Sequence, residues 1–242
     1  MIEFFNNIDT QLYLFFNCMH TTWLDHIMMM CTGRYTWIPL YICIAILLVK
    51  TFGVKLSVIY LVAIGLAITV TDQTCATLIR PIVARMRPSN PDNPLSMLAT
   101  LVDGYRGGRY GFPSCHSANS FALAVLVSCL IRRPGTIAFM FSWALLNSYT
   151  RLYLGVHYPG DLFVGAIIGS GIGYLFYRID KRFFPAQREK AIASMRTPIY
   201  TINTGIKALG NRWQHLDITA IGLMMSVGAI TLATIIIIGL CQ

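Results

Sequence analysis

The sequence predicts an all-α polytopic transmembrane bundle of about six spans, preceded by a helix lying at the membrane interface. Three observations predict it. Of the 242 residues, 55% are hydrophobic and only 12% charged, too apolar for an ordinary soluble domain. Apolar runs long enough to cross a hydrocarbon core of about 30 Å, at about 1.5 Å rise per residue, recur along the chain. The basic residues fall between these runs and not on a polar domain that could hold a duplex. The net charge of +9 therefore points to a bilayer and not to nucleic acid. Helices are the expected spanning elements, because in lipid every backbone N–H and C=O needs a partner within the protein.

Residues 1–34 read as an N-terminal interfacial segment. Over 4–18, Phe4, Phe5, Ile8, Leu12, Phe15 and Phe16 recur among Asn6, Asn7, Asp9 and Gln11, with Asn7 or Asp9 a candidate helix cap. A second short helix fits 21–32, and Trp23 and Trp37 are expected at headgroup depth. No Lys or Arg precedes Arg34, so the charged start of a cleavable signal peptide is missing.

A transmembrane catalytic core is expected over 35–180. Its first span runs from about Trp37 to Val49. Lys50 and Lys55 bracket a turn at Gly53, and the second span fills 56–79 and delivers Arg80. A helix started by Pro81 would point Arg80 and Arg87, seven residues apart, the same way. Residues 88–112 carry Gly104, Gly107 and Gly108 and form a loop long enough to be a lid. The third span runs from Ser114 to Ile131 and stops at Arg132-Arg133-Pro134-Gly135. The fourth covers 136–150, and the fifth starts at Pro159 and ends near Phe176. A basic segment, 181–215, is expected on the cytoplasmic face with Ile199, Tyr200 and Trp213 at the inner leaflet. Residues 216–242 hold a last span, Ile218 to Leu240.

Alternation of the loops places Lys50, Lys55, Arg132, Arg133 and the eight basic residues of 178–215 on one side, twelve in all, against seven on the other. By the positive-inside rule the twelve are cytoplasmic. Three polar stretches then share the outer side: Arg80 to Pro88, Pro113 to Ser117, and Thr150-Arg151 with His157 to Asp161. They supply what is needed to bind a phosphate, attack it and protonate its leaving group without a metal.

Each stretch also has a plainer reading. Arginine forks suit phosphate oxygens, but either arginine alone can anchor a helix end in lipid headgroups. Ser114 is an ordinary cap, whereas the same helix start leaves N–H groups free for an anion. His116 in the first turn opposes the helix dipole when protonated, a penalty that bound phosphate would reverse. His157 and Asp161, four apart, let the carboxylate orient one ring nitrogen and free the other for attack, or else they simply cap the helix. Cys115 at a helix start could be a thiolate nucleophile, but the arginine a cysteine phosphatase needs six residues on is Phe121. A metal held by His157 and Asp161 would be repelled by the arginines. The seven cysteines show no C-x-x-C or finger spacing and read mostly as small core residues.

Taken together, these residues resemble the type 2 phosphatidic acid phosphatases, a superfamily that includes vanadium haloperoxidases. Its signature is Lys-x6-Arg-Pro, Pro-Ser-Gly-His and Ser-Arg-x5-His-x3-Asp. Here it stands as Arg80-x6-Arg87-Pro88, Pro113-Ser114-Cys115-His116 and Thr150-Arg151-x5-His157-x3-Asp161. The resemblance implies His157 as the nucleophile forming a phosphohistidine, Asp161 as its orienter and His116 as the acid on the leaving oxygen. It also implies a phosphate held by Arg80, Arg87, Arg151, Ser114 and main-chain amides at Cys115 and His116, with no cofactor and no metal. Arg80 for lysine keeps the charge and changes its shape. Cys115 for glycine puts a side chain where backbone approaches the phosphate.

The implied activity is hydrolysis of a lipid phosphomonoester or diphosphate at the periplasmic face of a bacterial-type inner membrane. Undecaprenyl diphosphate and lipid A lead the candidates, and phosphatidylglycerol phosphate follows. Tyr105, Arg106, Arg109 and Tyr110 either contact a second phosphate or sugar or anchor the interface. The rival class is a non-catalytic phospholipid-binding or transport protein that keeps the phosphate pocket.

Overall fold

The computed structural model describes residues 2–33, 35–185 and 189, the backbone of 198–200 and 209–211, and residues 227–228, 230–231, 233–235 and 237. Most of the basic segment and of the last predicted span, with Trp213 and Arg34, lies outside the described residues. Among the latter the chain is a helical bundle, with one short antiparallel pair, β1 (Pro198–Tyr200) and β2 (Leu209–Asn211).

Helix α1 (Ile2–Asn17) turns Phe4, Phe5, Ile8, Leu12 and Phe15 outward and buries Tyr13. The Tyr13 hydroxyl donates to the Gly155 carbonyl at 3.3 Å, docking the helix against the far end of the bundle. Asp9 is no cap for α1, which begins at Ile2. Its carboxylate instead reaches Gly160 N–H at 2.7 Å, pairing a free donor in the first turn of another helix. Helix α2 (Thr22–Cys31) follows, and its Trp23 is exposed. Trp37 departs from the expectation of a headgroup anchor: it is buried, and its indole N–H donates to the Cys31 carbonyl at 2.7 Å.

Helix α3 (Ile38–Gln73) holds the first predicted span and most of the second. Gly53, at φ 76° and ψ 168°, breaks it between exposed Lys50 and Lys55, a conformation a side chain resists. The second limb continues through a π-helical stretch, Thr74–Ile79, into α4 (Arg80–Val83). There the predicted helix through Arg87 fails. Ala84 takes φ 47°, its N–H closes on the Arg80 carbonyl at 2.9 Å, and the chain leaves in extended form. Residues 85–87 then pair with the returning loop: Arg87 N–H donates to the Arg109 carbonyl and Gly111 N–H to the Arg85 carbonyl. Tertiary pairing has overridden the helical start at Pro81, so Arg80 and Arg87 converge from two conformations and not from one helix face.

The loop 88–112 is knitted and not loose. Ser89 and Arg106 exchange hydrogen bonds, and Asn93 donates to the Arg87 carbonyl and to the Tyr158 hydroxyl, both at 3.0 Å. Helix α5 (Cys115–Ile131) is capped by Ser114. Helix α6 (Pro134–Tyr153) returns to the same end, and α7 (Pro159–Phe183) outruns its predicted end at Phe176. Gly165, Gly169 and Gly173 form a stripe on α7 against α5. A Cβ at Gly169 would overlap the Ala118 carbonyl oxygen, so the two backbones touch only because the stripe is bare. That contact brings the first turns of α5 and α7 together, where the Ser114 N–H donates to the Asp161 carbonyl at 3.0 Å.

Candidate active site

The three polar stretches meet at one end of the bundle. His157 lies in the tight link between α6 and α7, 2% exposed. Its Nδ1 faces Asp161 Oδ2 at 3.3 Å and its Nε2 faces Arg87 Nη1 at 2.7 Å. A guanidinium only donates, so Nε2 accepts and the Nδ1 proton points to the carboxylate. Burial first, then the charges of Arg87, Arg151, Arg80 and His116, hold His157 well below the usual 6.5. The ring is thus neutral at pH 7, with a lone pair on the nitrogen away from Asp161.

Asp161 is fully buried in the first turn of α7. Oδ2 also takes the Tyr158 N–H at 3.1 Å, and Oδ1 takes Arg85 Nη1 at 3.0 Å. Arg85 bridges from there to Asp9 Oδ2 at 2.7 Å and lies over the Tyr158 ring at 3.9 Å. Sequence reasoning missed both Arg85 and Asp9. The available signal for Arg85 was a third arginine inside the first stretch; Asp9 stands among Glu3, Asn6, Asn7 and Gln11 in its helix and gives none.

The arginines ring the histidine. Arg87 is tied by Nε to the Tyr110 carbonyl at 3.1 Å and by Nη1 to the Val156 carbonyl at 3.0 Å. Burial, followed by repulsion from Arg80 and Arg151, lowers Arg87 to about 10, still charged at pH 7. Arg80 donates Nη2 to the Pro113 carbonyl at 3.1 Å and to Cys115 Sγ at 2.8 Å. The Cys115 side chain therefore lies on Arg80. Arg151 holds Thr32 Oγ1 at 2.7 Å and the Tyr105 hydroxyl at 3.0 Å, and Thr32 Oγ1 stands 3.5 Å from His116 Nε2. Thr32 and Tyr105 are further residues that spacing alone could not reveal.

Arg80 Nε and Arg151 Nε are buried without a partner among the described residues. Orphaned guanidinium donors are costly unless something meets them. Several cationic forks, a capped helix start and a neutral imidazole suit an oxyanion with an electrophilic centre.

Residues 56–185 match the PAP2 superfamily. The lipid A 4'-phosphatase of Bacteroides thetaiotaomicron is 46% identical over 242 residues, the whole of both chains. That of Porphyromonas gingivalis is 29% identical over 178 residues, 74% of this chain and 75% of its own. The crystal structure of Aquifex aeolicus LpxE superposes with a TM-score of 0.50 at 26% identity, covering 70% of this chain and 94% of that one. A Bacillus subtilis phosphatidylglycerolphosphate phosphatase shares the fold, with a TM-score of 0.55 at 19% identity over 74% and 87% of the two chains. With the family matched over more than half its length and a relative nearly half identical from end to end, this chain belongs to the PAP2 superfamily.

Proposed function

We propose that this chain, a membrane lipid phosphatase, removes a phosphomonoester from a lipid A-type glycolipid at the extracytoplasmic face through a phosphohistidine. The observation that carries the reading is the neutral, buried His157, fixed by Asp161 on one nitrogen and facing a fully charged Arg87 on the other. The full-length likeness to a lipid A 4'-phosphatase supports the substrate class.

In the first step Nε2 of His157 attacks phosphorus, the ester P–O bond breaks, and His116 gives its proton to the leaving oxygen. Asp161 holds the Nδ1 proton and steadies the imidazolium that forms. Arg80, Arg87 and Arg151, with Ser114 and the amides of Cys115 and His116, hold the phosphoryl oxygens. Arg87 must slide from Nε2 onto the phosphate as substrate arrives. In the second step His116 takes a proton from water, the water oxygen attacks phosphorus, and the P–N bond breaks to release inorganic phosphate and His157. Guanidinium charge meets the developing negative charge, so the reading requires no metal.

The test is phosphate release by the purified chain from lipid A, phosphatidic acid and undecaprenyl diphosphate, each with excess EDTA. The expected result is release from lipid A that EDTA does not suppress. Loss of all turnover in EDTA, restored by a divalent ion, would overturn the metal-free mechanism. Binding of vanadate without turnover of any lipid would favour the non-catalytic class. The extracytoplasmic placement rests on the seven-against-twelve charge count and is checked by whether an impermeant thiol reagent reaches Cys18 in intact cells.

A further inference from the structure

A histidine that protonates a leaving oxygen must keep one ring nitrogen aimed at it, and a ring free to turn does so only part of the time. His116 stands in the first turn of α5, and Thr32, the residue that closes α2, faces it from 84 residues away in the chain. Thr32 Oγ1 lies 3.5 Å from His116 Nε2, and the Thr32 main-chain carbonyl takes a ring N–H of the same histidine. The Nε2 side of the ring therefore faces Thr32. Nδ1 meets no other partner among the described residues and is left for the reaction.

Thr32 is itself held in place, because the last carbonyls of α2 are met by named donors. The Thr32 N–H donates to the Met28 carbonyl at 3.1 Å, and the Gly33 N–H and the Thr36 hydroxyl share the Met30 carbonyl at 2.9 and 2.6 Å. The Trp37 indole occupies the Cys31 carbonyl. From this anchored turn Thr32 Oγ1 accepts from Arg151 Nη1 at 2.7 Å. One side chain thus joins the acid to a guanidinium that the phosphatase reading places on the phosphate.

The two histidines have holders of different charge. Asp161 is a carboxylate and steadies the positive charge that builds on His157 as it attacks. Thr32 offers His116 neutral oxygens, which orient the ring without adding a countercharge and so leave it readier to part with a proton. With the Nε2 proton kept on Thr32 throughout, Nδ1 gives its proton to the leaving oxygen as the P–O bond breaks. Nδ1 then takes one from water as the water oxygen attacks phosphorus and the P–N bond breaks.

We infer that Thr32 is the positioning residue of the acid, turning Nε2 away from the substrate and Nδ1 toward the leaving oxygen. The inference rests on the proposed phosphatase activity and adds to it a residue that belongs to none of the three motifs.

An acid matters only where the departing oxygen needs a proton, so the leaving group supplies the test. The experiment measures kcat/KM for two esters in the wild type, Thr32→Val and Thr32→Ser. The first is whichever of lipid A and phosphatidic acid the wild type turns over, since both release an alkoxide oxygen. The second is a nitrophenyl phosphate bearing an alkyl chain, whose phenolate leaves unaided. Valine keeps the branching and removes the hydroxyl, whereas serine keeps the hydroxyl. One net hydrogen bond corresponds to about fivefold in rate. Thr32→Val is expected to lower the lipid-to-nitrophenyl ratio by about fivefold, and Thr32→Ser to stay within about twofold of the wild-type ratio. A fall of less than about threefold in Thr32→Val, or an equal fall in Thr32→Ser, overturns the inference. Equal losses on both esters are the mark of a threonine that serves only Arg151 or the fold. Wild-type release from neither lipid sinks the phosphatase reading beneath it.

Discussion

Arg85 touches none of the groups that would hold phosphate, yet it decides how Asp161 stands. Replacing it with methionine keeps most of the stem and removes the cation that occupies Asp161 Oδ1 at 3.0 Å and Asp9 Oδ2 at 2.7 Å. Asp161 is fully buried, so it would keep only the Tyr158 N–H and the His157 ring as partners. Breaking a buried pair from one side costs about 3–5 kcal/mol. The Arg85 side chain is 23% exposed, so water reaches part of the vacancy, and the loss at the transition state falls to about 2 kcal/mol, or about 30-fold in rate. The loss belongs in kcat, because Arg85 acts through Asp161 on the nucleophile and not on bound substrate. Steady-state phosphate release for Arg85→Met, with Arg85→Lys as the charge-preserving partner, separates the cases. A positioning role gives a low kcat, little change in KM and partial rescue by lysine. A kcat within about twofold of wild type in the methionine variant, or a loss confined to KM, would refute the reasoning.

Four further outcomes follow from the same geometry. His157→Ala is expected to abolish turnover and acid-labile phosphate labelling of the protein, and wild-type turnover in that variant would dismiss His157 as nucleophile. Because the His157 pKa is depressed below 6.5, the reactive neutral form persists as pH falls through 6.5. The acid limb of kcat/KM, corrected for the substrate phosphate's own ionisation near about 6, is therefore expected below 6.5, and a limb centred at or above it would contradict the burial argument. Gly169→Ala places a methyl against the Ala118 carbonyl and is expected to cost at least about 1–3 kcal/mol, seen as a lowered thermal midpoint in detergent. Arg80→Lys and Cys115→Gly are expected to be non-additive, with a coupling energy in kcat/KM of about 1 kcal/mol across the double-mutant cycle; additivity would mean that the 2.8 Å contact carries no energy.

Much of the architecture is legible because bilayer physics is coarse. Run length and breakers place α5 at Cys115–Ile131 and the turn at Gly53 without any tertiary knowledge. What stays hidden depends on partners far away in sequence. The helix after Pro81 stops at Ala84 because residues 85–87 find strand-like partners in 109–111, and local propensity contains no trace of that pairing. Trp37 looks like a headgroup anchor by composition, yet the Cys31 carbonyl draws its indole inward. Asp9 suits a cap in its own helix and is used on another, 151 residues along. The glycines at 165, 169 and 173 recur every four residues of α7, a pattern that has a purpose only through the closeness of α5. The spacing of the three motifs picks out His116, His157, Asp161 and the three arginines as candidates, whereas Arg85, Thr32 and Tyr105 touch them through contacts that no spacing records.

Two of the departures from the family's motif pattern, Arg80 and Cys115, are in contact, and that contact explains them as one change. A lysine carries its charge on a single nitrogen that can turn wholly toward phosphate. An arginine brings five N–H donors into the same nearly dry space, and those that miss the phosphate need acceptors of their own. The Pro113 carbonyl supplies one and Cys115 Sγ another, both to Nη2; a glycine at 115 would supply only backbone already committed to the helix start. Among the described residues Arg80 Nε is then a buried donor without a partner, its direction fixed by the grip on Nη2. On this argument Cys115 does not obstruct the phosphate site. Its thiol aligns the larger cation that has taken the place of lysine, which is why substituting either residue alone should disturb the site more than the small change in side chain suggests.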